Sequence, residues 1–220
     1  MTLTQWPSKL AWLGLVIALN ACGKNMNISS NEKEALAVIE ARIGDSWNDV
    51  IQHSTYNLSP LFNPAGTIID KPHIFVYRGP RHPMQFENVG YSTIYIGYEK
   101  DRSIRSVDIG PYRQSAETEE TWRRMQDVIQ KMEQAGWIPD DVRNRHSPPT
   151  KSIADLRSLY VNLPGGARGV EKFWYDEYGN EAWVLLVKTI KGREPNEEPR
   201  FNIVLHMQVA TDRKHVQGQK

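Results

Sequence analysis

Apolar residues recur at helical spacing in two stretches of this 220-residue chain. In residues 30–53 the intervals are 3, 4, 4 and 3 residues, and the apolar positions are Leu36, Ile39, Ile43, Trp47 and Val50. In residues 117–135 the corresponding positions are Trp122, Met125, Val128, Ile129 and Met132. Such intervals place side chains on one face of an α-helix. The pattern therefore predicts two amphipathic helices, the first preceded by a capping pattern at Ser29–Glu32 and the second ended by Gly136.

Alternation of apolar and polar residues predicts strands in the rest of the chain. It is most regular from Phe201 to Val209, where every second residue is apolar. Polar turns join further β-rich stretches into the hairpins 91–109 and 172–190, and residues 73–77 form another candidate strand. Residues 54–72 and 191–199 are expected to be irregular connections, whereas residues 152–160 fit either a short helix or a strand.

These elements indicate an α+β fold. Strand pairs joined by short turns give a largely antiparallel sheet, and the two main helices are expected to pack on one face of it. Residues 30–210 are long enough for one domain with a full core. Residues 211–220 are polar and are expected to form a disordered tail.

The first 21 residues have the pattern of an export signal. Lys9 precedes an apolar run from Leu10 to Leu19, which is shorter than the roughly 20 residues that span a membrane. The run ends in Leu19-Asn20-Ala21-Cys22, and Cys22 is the only cysteine of the chain. A mature chain with one cysteine has no internal disulfide, so its stability must come from its core.

The sequence Leu19–Cys22 resembles the bacterial lipobox. This resemblance implies that Cys22 is acylated, with fatty acids on its sulfur and on its new amino group, and that residues 1–21 are removed. More than one acyl chain gives stable anchoring, since each buried methylene contributes about 0.8 kcal/mol. Residues 22–29 would then be the lipidated cysteine and a tether. Gly23 follows Cys22 where an Asp would favour the inner membrane, so the resemblance implies the outer membrane, facing the periplasm.

Charge gives no support for a nucleic-acid partner. The chain has 27 basic and 26 acidic residues, and Lys9 is the only charged residue of the export signal, which leaves 26 of each after cleavage. A balanced net charge gives no support for a polyanion partner such as DNA, and it leaves open the binding of lipopolysaccharide by a local basic face.

No catalytic motif is complete. Ser30 and Lys33 have Ser-x-x-Lys spacing, but the Ser-Asp-Asn and Lys-Thr-Gly partners of penicillin-binding enzymes do not occur, and a helix cap explains Ser30 better. The six histidines show no zinc-ligand spacing, although His73 and His82 flank a loop that could bring them together. We therefore expect no cofactor, no metal and no enzymatic activity, while a cleft holding both histidines would point to an enzyme.

Two loops and one turn are the expected partner-binding surfaces. Residues 78–83 present cations on a proline-stiffened loop, and residues 194–198 present carboxylates between two strands. The aromatic stretch Phe173-Trp174-Tyr175, together with Tyr178 in the turn after it, supplies anchors of the type that interfaces favour. The residues expected to contact a partner are Arg78, Arg81, His82, Glu194, Glu197, Glu198 and Tyr178.

The overall plan is similar to that of immunity lipoproteins of type VI secretion, which neutralise toxins in the periplasm. This likeness implies a protein partner, such as a phospholipase or a peptidoglycan hydrolase, whose active site would be covered. The same anchor and fold would also serve a structural or assembly lipoprotein of an envelope or secretion machine.

Overall fold

The computed structural model describes residues 35–59, 66–97, 102–146, 150–161, 168–189 and 198–210. Within these ranges the chain forms four helices and eleven strands, numbered here in chain order. The predicted export signal, the lipobox with Cys22, the tether and the tail 211–220 lie outside the described residues. None of the described helices has the length and apolarity needed to cross a membrane.

The smaller of two sheets has three strands. Its order is β1 (Val38–Ala41), β3 (His73–Arg78) and β4 (Pro83–Val89). Strand β1 runs parallel to β3, and β3 and β4 form an antiparallel hairpin.

The larger sheet has eight strands. Its order is β2 (Thr67–Ile69), β5 (Tyr91–Ile96), β6 (Ile104–Gly110), β11 (Arg200–Val209), β10 (Asn180–Lys188), β9 (Arg168–Tyr175) and β8 (Ile138–Pro139), and the short β7 (Ala116–Glu117) also pairs with β11. Every strand pair in this sheet is antiparallel. The predicted α+β class with a largely antiparallel sheet is therefore confirmed.

One continuous core joins the two sheets and the long helix α2 (Thr118–Gln134). The buried side of β11 contributes Phe201, Ile203, Leu205 and Met207. Helix α2 contributes Met125, Val128 and Met132, and the small sheet contributes Ile39, Phe75, Tyr77 and Phe86. We call the side of the large sheet that carries Leu205 its inner face and the opposite side its outer face.

The predicted helix over residues 30–53 is wrong within the described residues. Residues 38–41 form β1, and helix α1 extends only over Trp47–His53. Between them Gly44 has a φ of +90°, which a continuous helix does not allow. Four of the five apolar positions are buried as expected, but Leu36 is 38% exposed. A strand, a turn and a short helix here reproduce the spacing of one long helix.

Helix α1 has its own capping box at Ser46. The Asp49 backbone N–H donates to Ser46 Oγ over 3.2 Å, and the Ser46 N–H donates to Asp49 Oδ2 over 3.1 Å. The hydrogen bonds from Ser46 lower the pKa of Asp49 below its usual value. The reciprocal pair satisfies two backbone donors that a helix start leaves free.

The other predicted elements agree with the structure. Helix α2 matches the predicted second helix, and Gly136 follows it with a φ of +95°. Both predicted hairpins form, and β11 covers the predicted C-terminal strand. Residues 152–160 belong mainly to helix α4 (Ile153–Val161). Three elements were not predicted, namely the short α3 (Asp141–His146), β4, and β2 within the expected connection 54–72.

The capping box predicts a measurable loss in one substitution. We expect Ser46→Ala to lower the free energy of unfolding by about 1 kcal/mol, because the first turn of α1 loses its acceptor. Ser46→Thr keeps a side-chain oxygen and should stay close to the wild type. Urea unfolding followed by circular dichroism measures both variants, and an equal loss in the two would show that the cap contributes nothing.

Candidate partner-binding surface

The outer face of the large sheet carries two rows of side chains that run across six strands each. The register places directly paired residues in each row on the same side of the sheet. From β9 to β2 the first row consists of Phe173, Trp183, His206, Asp108, Thr93 and Ile68. From β8 to β5 the second row consists of Ile138, Tyr175, Glu181, Gln208, Ser106 and Tyr95.

His206 lies at the centre of the first row and is held on three sides. Its ring stacks on Trp183 with 4.1 Å between ring centroids and 25° between planes. Its Nδ1 contacts Asp108 Oδ1 on β6, and its Nε2 lies 3.2 Å from Gln208 Oε1. Both ring nitrogens therefore face oxygen acceptors, which suits an imidazolium that donates from both.

The surroundings of His206 favour its charged form. Burial opposes the charge, but the hydrogen bond and negative charge of Asp108, together with the hydrogen bond to Gln208, outweigh burial and raise the pKa of His206 above its usual value of 6.5. The side chain is only 17% exposed. The stacking on Trp183 adds the attraction of a cation for an aromatic face. At a pH below this raised pKa, the sheet presents a fixed, partly desolvated cation.

Helix α3 brings a second cation to the same face. Arg143 Nη2 lies 2.5 Å from Glu181 Oε1, and its guanidinium carbon lies 5.6 Å from the centroid of the Phe173 ring. The hydrogen bond to Glu181 raises the pKa of Arg143. Asn144 fixes α3 to the sheet, because its side chain donates to the Phe173 carbonyl over 3.0 Å and accepts from the Phe173 N–H over 2.9 Å.

The outer face has the composition of a protein interface. Phe173 and Trp183 are half-buried, with 6.4 Å between their ring centroids. Exposed apolar side chains mark its margins, namely Ile68 (71% exposed), Ile138 (37%) and Tyr95 (36%). Interfaces favour Trp, Tyr and Arg near the centre, surrounded by polar groups. The arrangement combines aromatic contact area with two ion pairs, His206–Asp108 and Arg143–Glu181.

The predicted contact residues within the described ranges lie away from these two rows and form two separate groups. Arg78 ends β3, with its Nη2 2.6 Å from Asp45 Oδ2 and its Nε 3.6 Å from Glu40 Oε1. Tyr178 is 60% exposed in the turn between β9 and β10, under the guanidinium of Arg42 at 4.6 Å. Arg42, which contacts Tyr178, and Asp45, which pairs with Arg78, belong to the same turn. The Asp45 N–H donates to the Arg42 carbonyl over 3.1 Å.

Arg81 and His82 are exposed at the tip of the β3–β4 hairpin. Their backbone N–H groups donate to the Ala135 carbonyl over 2.9 and 3.3 Å, so the tip caps the C-terminus of α2. The predicted loop 78–83 is therefore a tight hairpin turn whose backbone is fixed by a helix.

The acidic loop contributes only Glu198 to the described residues, and Glu194 and Glu197 lie outside them. Glu198 Oε1 is 3.3 Å from Arg157 Nη2. It also lines a cavity of about 450 Å³ with Glu117, Glu119, Glu120 and Arg123 near the start of α2.

His73 and His82 do not converge. His73 begins β3 and is fully buried, whereas His82 follows the far end of that six-residue strand. His73 Nδ1 lies 2.7 Å from the Lys71 carbonyl oxygen and its Nε2 lies 2.8 Å from Ser92 Oγ. Burial lowers the pKa of His73, and the hydrogen bond to Lys71 only partly opposes that shift. Within the described part of the chain, no cluster of three or more His, Cys, Asp or Glu side chains is arranged to hold a metal ion.

Sequence reasoning missed the central residues of the outer face. Asp108, Trp183 and His206 belong to three strands that were predicted, but the pairing of β6 with β11 joins residues 98 positions apart. Comparison with protein-family models, with curated proteins and with solved structures finds no match to this chain.

The His206–Asp108 pair predicts a pH-dependent contribution to stability. Because the folded protein raises the pKa of His206, this contribution is complete below the unfolded pKa of about 6.5 and is lost as the pH rises through the folded pKa. We expect His206→Gln to cost about 1.5 kcal/mol more at pH 6 than at pH 9. NMR titration should show a lower His206 pKa in Asp108→Asn, and an unchanged pKa would contradict the assignment.

Buried His73 predicts the opposite dependence. Its folded pKa is lowered, so only the unfolded chain takes up a proton as the pH falls below about 6.5, and stability decreases. We expect the free energy of unfolding to fall less steeply between pH 7 and pH 5 in His73→Gln than in the wild type. Urea unfolding across that range gives the slope, and His53→Gln at an exposed histidine is the matched control. Equal slopes in all three proteins would contradict the buried, neutral state.

Proposed function

We propose that this chain is a lipid-anchored periplasmic binding protein that neutralises a secreted toxin. The toxin would act in the periplasm as a phospholipase or a cell-wall hydrolase, and binding would cover its active site. Two features support the proposal. The Leu19–Cys22 sequence resembles a lipobox, which would anchor the chain to the membrane that such toxins reach, and the outer face of the large sheet suits a protein partner.

The observation that carries the proposal is the row of Phe173, Trp183 and His206 on that outer face. These rings are fixed before a partner arrives, because each belongs to a paired strand and His206 is hydrogen-bonded on both nitrogens. A preformed surface loses little conformational entropy on binding. Such a surface acts by contact and needs no catalytic residue of its own.

The group around Arg78 and Tyr178 offers a second contact region. Arg78 is held by two carboxylates, and Arg81 and His82 stand on a turn fixed to α2. Cations at the rim of an interface raise the association rate with an acidic partner more than they raise affinity. We therefore assign the central affinity to the outer face and a steering role to these cations.

Affinity capture tests the function. We expect the immobilised protein to retain one hydrolase from the organism's secreted and periplasmic proteins and to abolish its activity. Trp183→Ala should weaken that complex at least a hundredfold, the scale of a central aromatic contact, whereas Gln52→Ala, at an exposed position of α1 and outside the large sheet, should change it less than threefold. Thermal unfolding checks that both variants fold.

Two outcomes would contradict the proposal. Recovery of envelope-assembly or secretion components in place of a hydrolase would favour the structural lipoprotein. A captured hydrolase that stays fully active would exclude neutralisation by occlusion.

The anchor is tested separately. We expect cells that express the full chain to attach an alkyne-labelled fatty acid to it and to keep it in the outer-membrane fraction. Cys22→Ser should lose the label and leave the membrane, because Cys22 is the only acceptor thiol. A label that survives Cys22→Ser would contradict lipidation at this residue.

A further inference from the structure

Strand β4 leaves one edge unpaired. Among the described residues it is the last strand of the small sheet and has β3 as its only strand partner. Every second residue of an edge strand directs its N–H and C=O away from its neighbour. Within the described part of the chain, residues 84–88 receive no hydrogen bond on their backbone apart from the ladder with β3. A row of backbone donors and acceptors is therefore free to pair with another strand.

A groove runs beside this edge. Two adjoining cavities of about 400 and 300 Å³ share Glu87, Pro111 and Tyr112 as lining residues. Strand β4 forms one wall, and the segment after β6 together with α2 forms the other. The groove is thus bounded by a strand edge and a helix, which is a common setting for adding a peptide strand.

The wall opposite β4 is rigid. The Tyr112 hydroxyl donates to Asp127 Oδ2 over 2.7 Å and to the Arg124 carbonyl over 3.1 Å, which fixes the segment after β6 to α2. Gly90 permits the close approach of that segment, because a Cβ there would lie 2.8 Å from the Arg113 Cα. The groove therefore keeps its width without a ligand.

The groove is lined by more cations than anions. Arg113, Arg124 and Lys131 line it, against the carboxylate Glu87. On α2 itself Arg124 pairs with Glu120 over 2.6 Å and Lys131 with Asp127 over 3.0 Å, so the excess of positive charge comes from Arg113. Arg113 is exposed and makes no ion pair within the described part of the chain, and the Lys131 ammonium lies 5.3 Å from the centroid of the Phe86 ring. An acidic segment would meet favourable charges here, whereas a second copy of this groove would bring like charges together.

We propose that β4 binds an extended acidic segment of a protein partner, which adds to the small sheet as a fourth strand. Backbone hydrogen bonds to residues 83–87 would supply affinity over about 17 Å, the length of five strand residues. Alternate side chains of the segment would contact Tyr112 and Pro111, and its carboxylates would face Arg113 and Lys131. Asn88, with a φ of +55°, bends the strand and ends the paired region.

This inference depends neither on the lipid anchor nor on the identity of a toxin. A defined probe tests it, namely a fluorescein-labelled heptapeptide of alternating valine and glutamate with blocked ends. We expect saturable binding to the full-length protein in detergent micelles, measured by fluorescence polarisation, and at least tenfold weaker binding of the valine–lysine counterpart. Hydrogen exchange should show new protection at residues 84–87.

Matched variants locate the probe. Arg113→Glu and Lys131→Glu should each weaken binding at least fivefold, whereas Lys71→Glu, at an exposed cation outside the groove, should leave it unchanged. A probe N-methylated at alternate residues keeps its charges but cannot form the ladder, so it should not bind. This comparison needs no substitution in the protein and holds if a variant fails to fold.

Three results would overturn the proposal. Equal binding of the glutamate and lysine probes would remove the charge argument, and binding of the N-methylated probe would remove the added strand. Protection of residues 84–87 that rises with protein concentration without any probe would identify a second copy as the occupant. The toxin-capture experiment tests binding at the outer face, whereas the peptide probe tests binding at β4. Either proposal can therefore fail without the other.

Discussion

The pairing of β11 with strands from distant parts of the chain is the constraint on which the structure depends. Strand β11 pairs with β10 along nine residues and with β6 and β7 on its other side. Its inner residues Phe201, Leu205 and Met207 pack in the core with α2. Because side chains alternate along a strand, the same register that buries Leu205 and Met207 places His206 on the outer face. A slip of one residue would bury the imidazole and expose the core.

Local signals explain what the sequence could predict. Helix α2, β11 and the two large-sheet hairpins each have a regular period and a turn or glycine at their ends, so short-range physics is enough to find them. The apolar spacing in residues 30–53 wrongly predicted one helix. Ile39, Ile43, Trp47 and Val50 are all buried, but they belong in succession to a strand, a turn and a short helix. Parallel pairing of β1 with β3 depends on distant residues, and no local pattern reports it.

The outer face could not be predicted for the same reason. Asp108 and His206 are ordinary polar positions of two separate strands, and only the β6–β11 register makes them partners. The predicted contact residues instead lie in loops and a turn that combine charged side chains, prolines or aromatic rings. Arg78 proved to be held by Asp45 and Glu40, and the backbone at Arg81 is fixed to α2. Loops rich in proline and charge signal a turn reliably but say little about which surface a partner would use.

The two proposed binding regions belong to different elements and share α2 as their support. The inner side of α2 packs with β11, which carries His206 on its other face, and the flank of α2 with Arg124 and Lys131 lines the groove beside β4. On the outer face the cations His206 and Arg143 are already paired with Asp108 and Glu181, so a partner there must match existing pairs. In the groove Arg113 is unpaired within the described part of the chain, so an acidic segment gains a new contact. The outer face therefore selects a partner by its shape, because the ion pairs there already exist. The groove selects a partner by its charge and extended conformation, through Arg113 and the edge of β4.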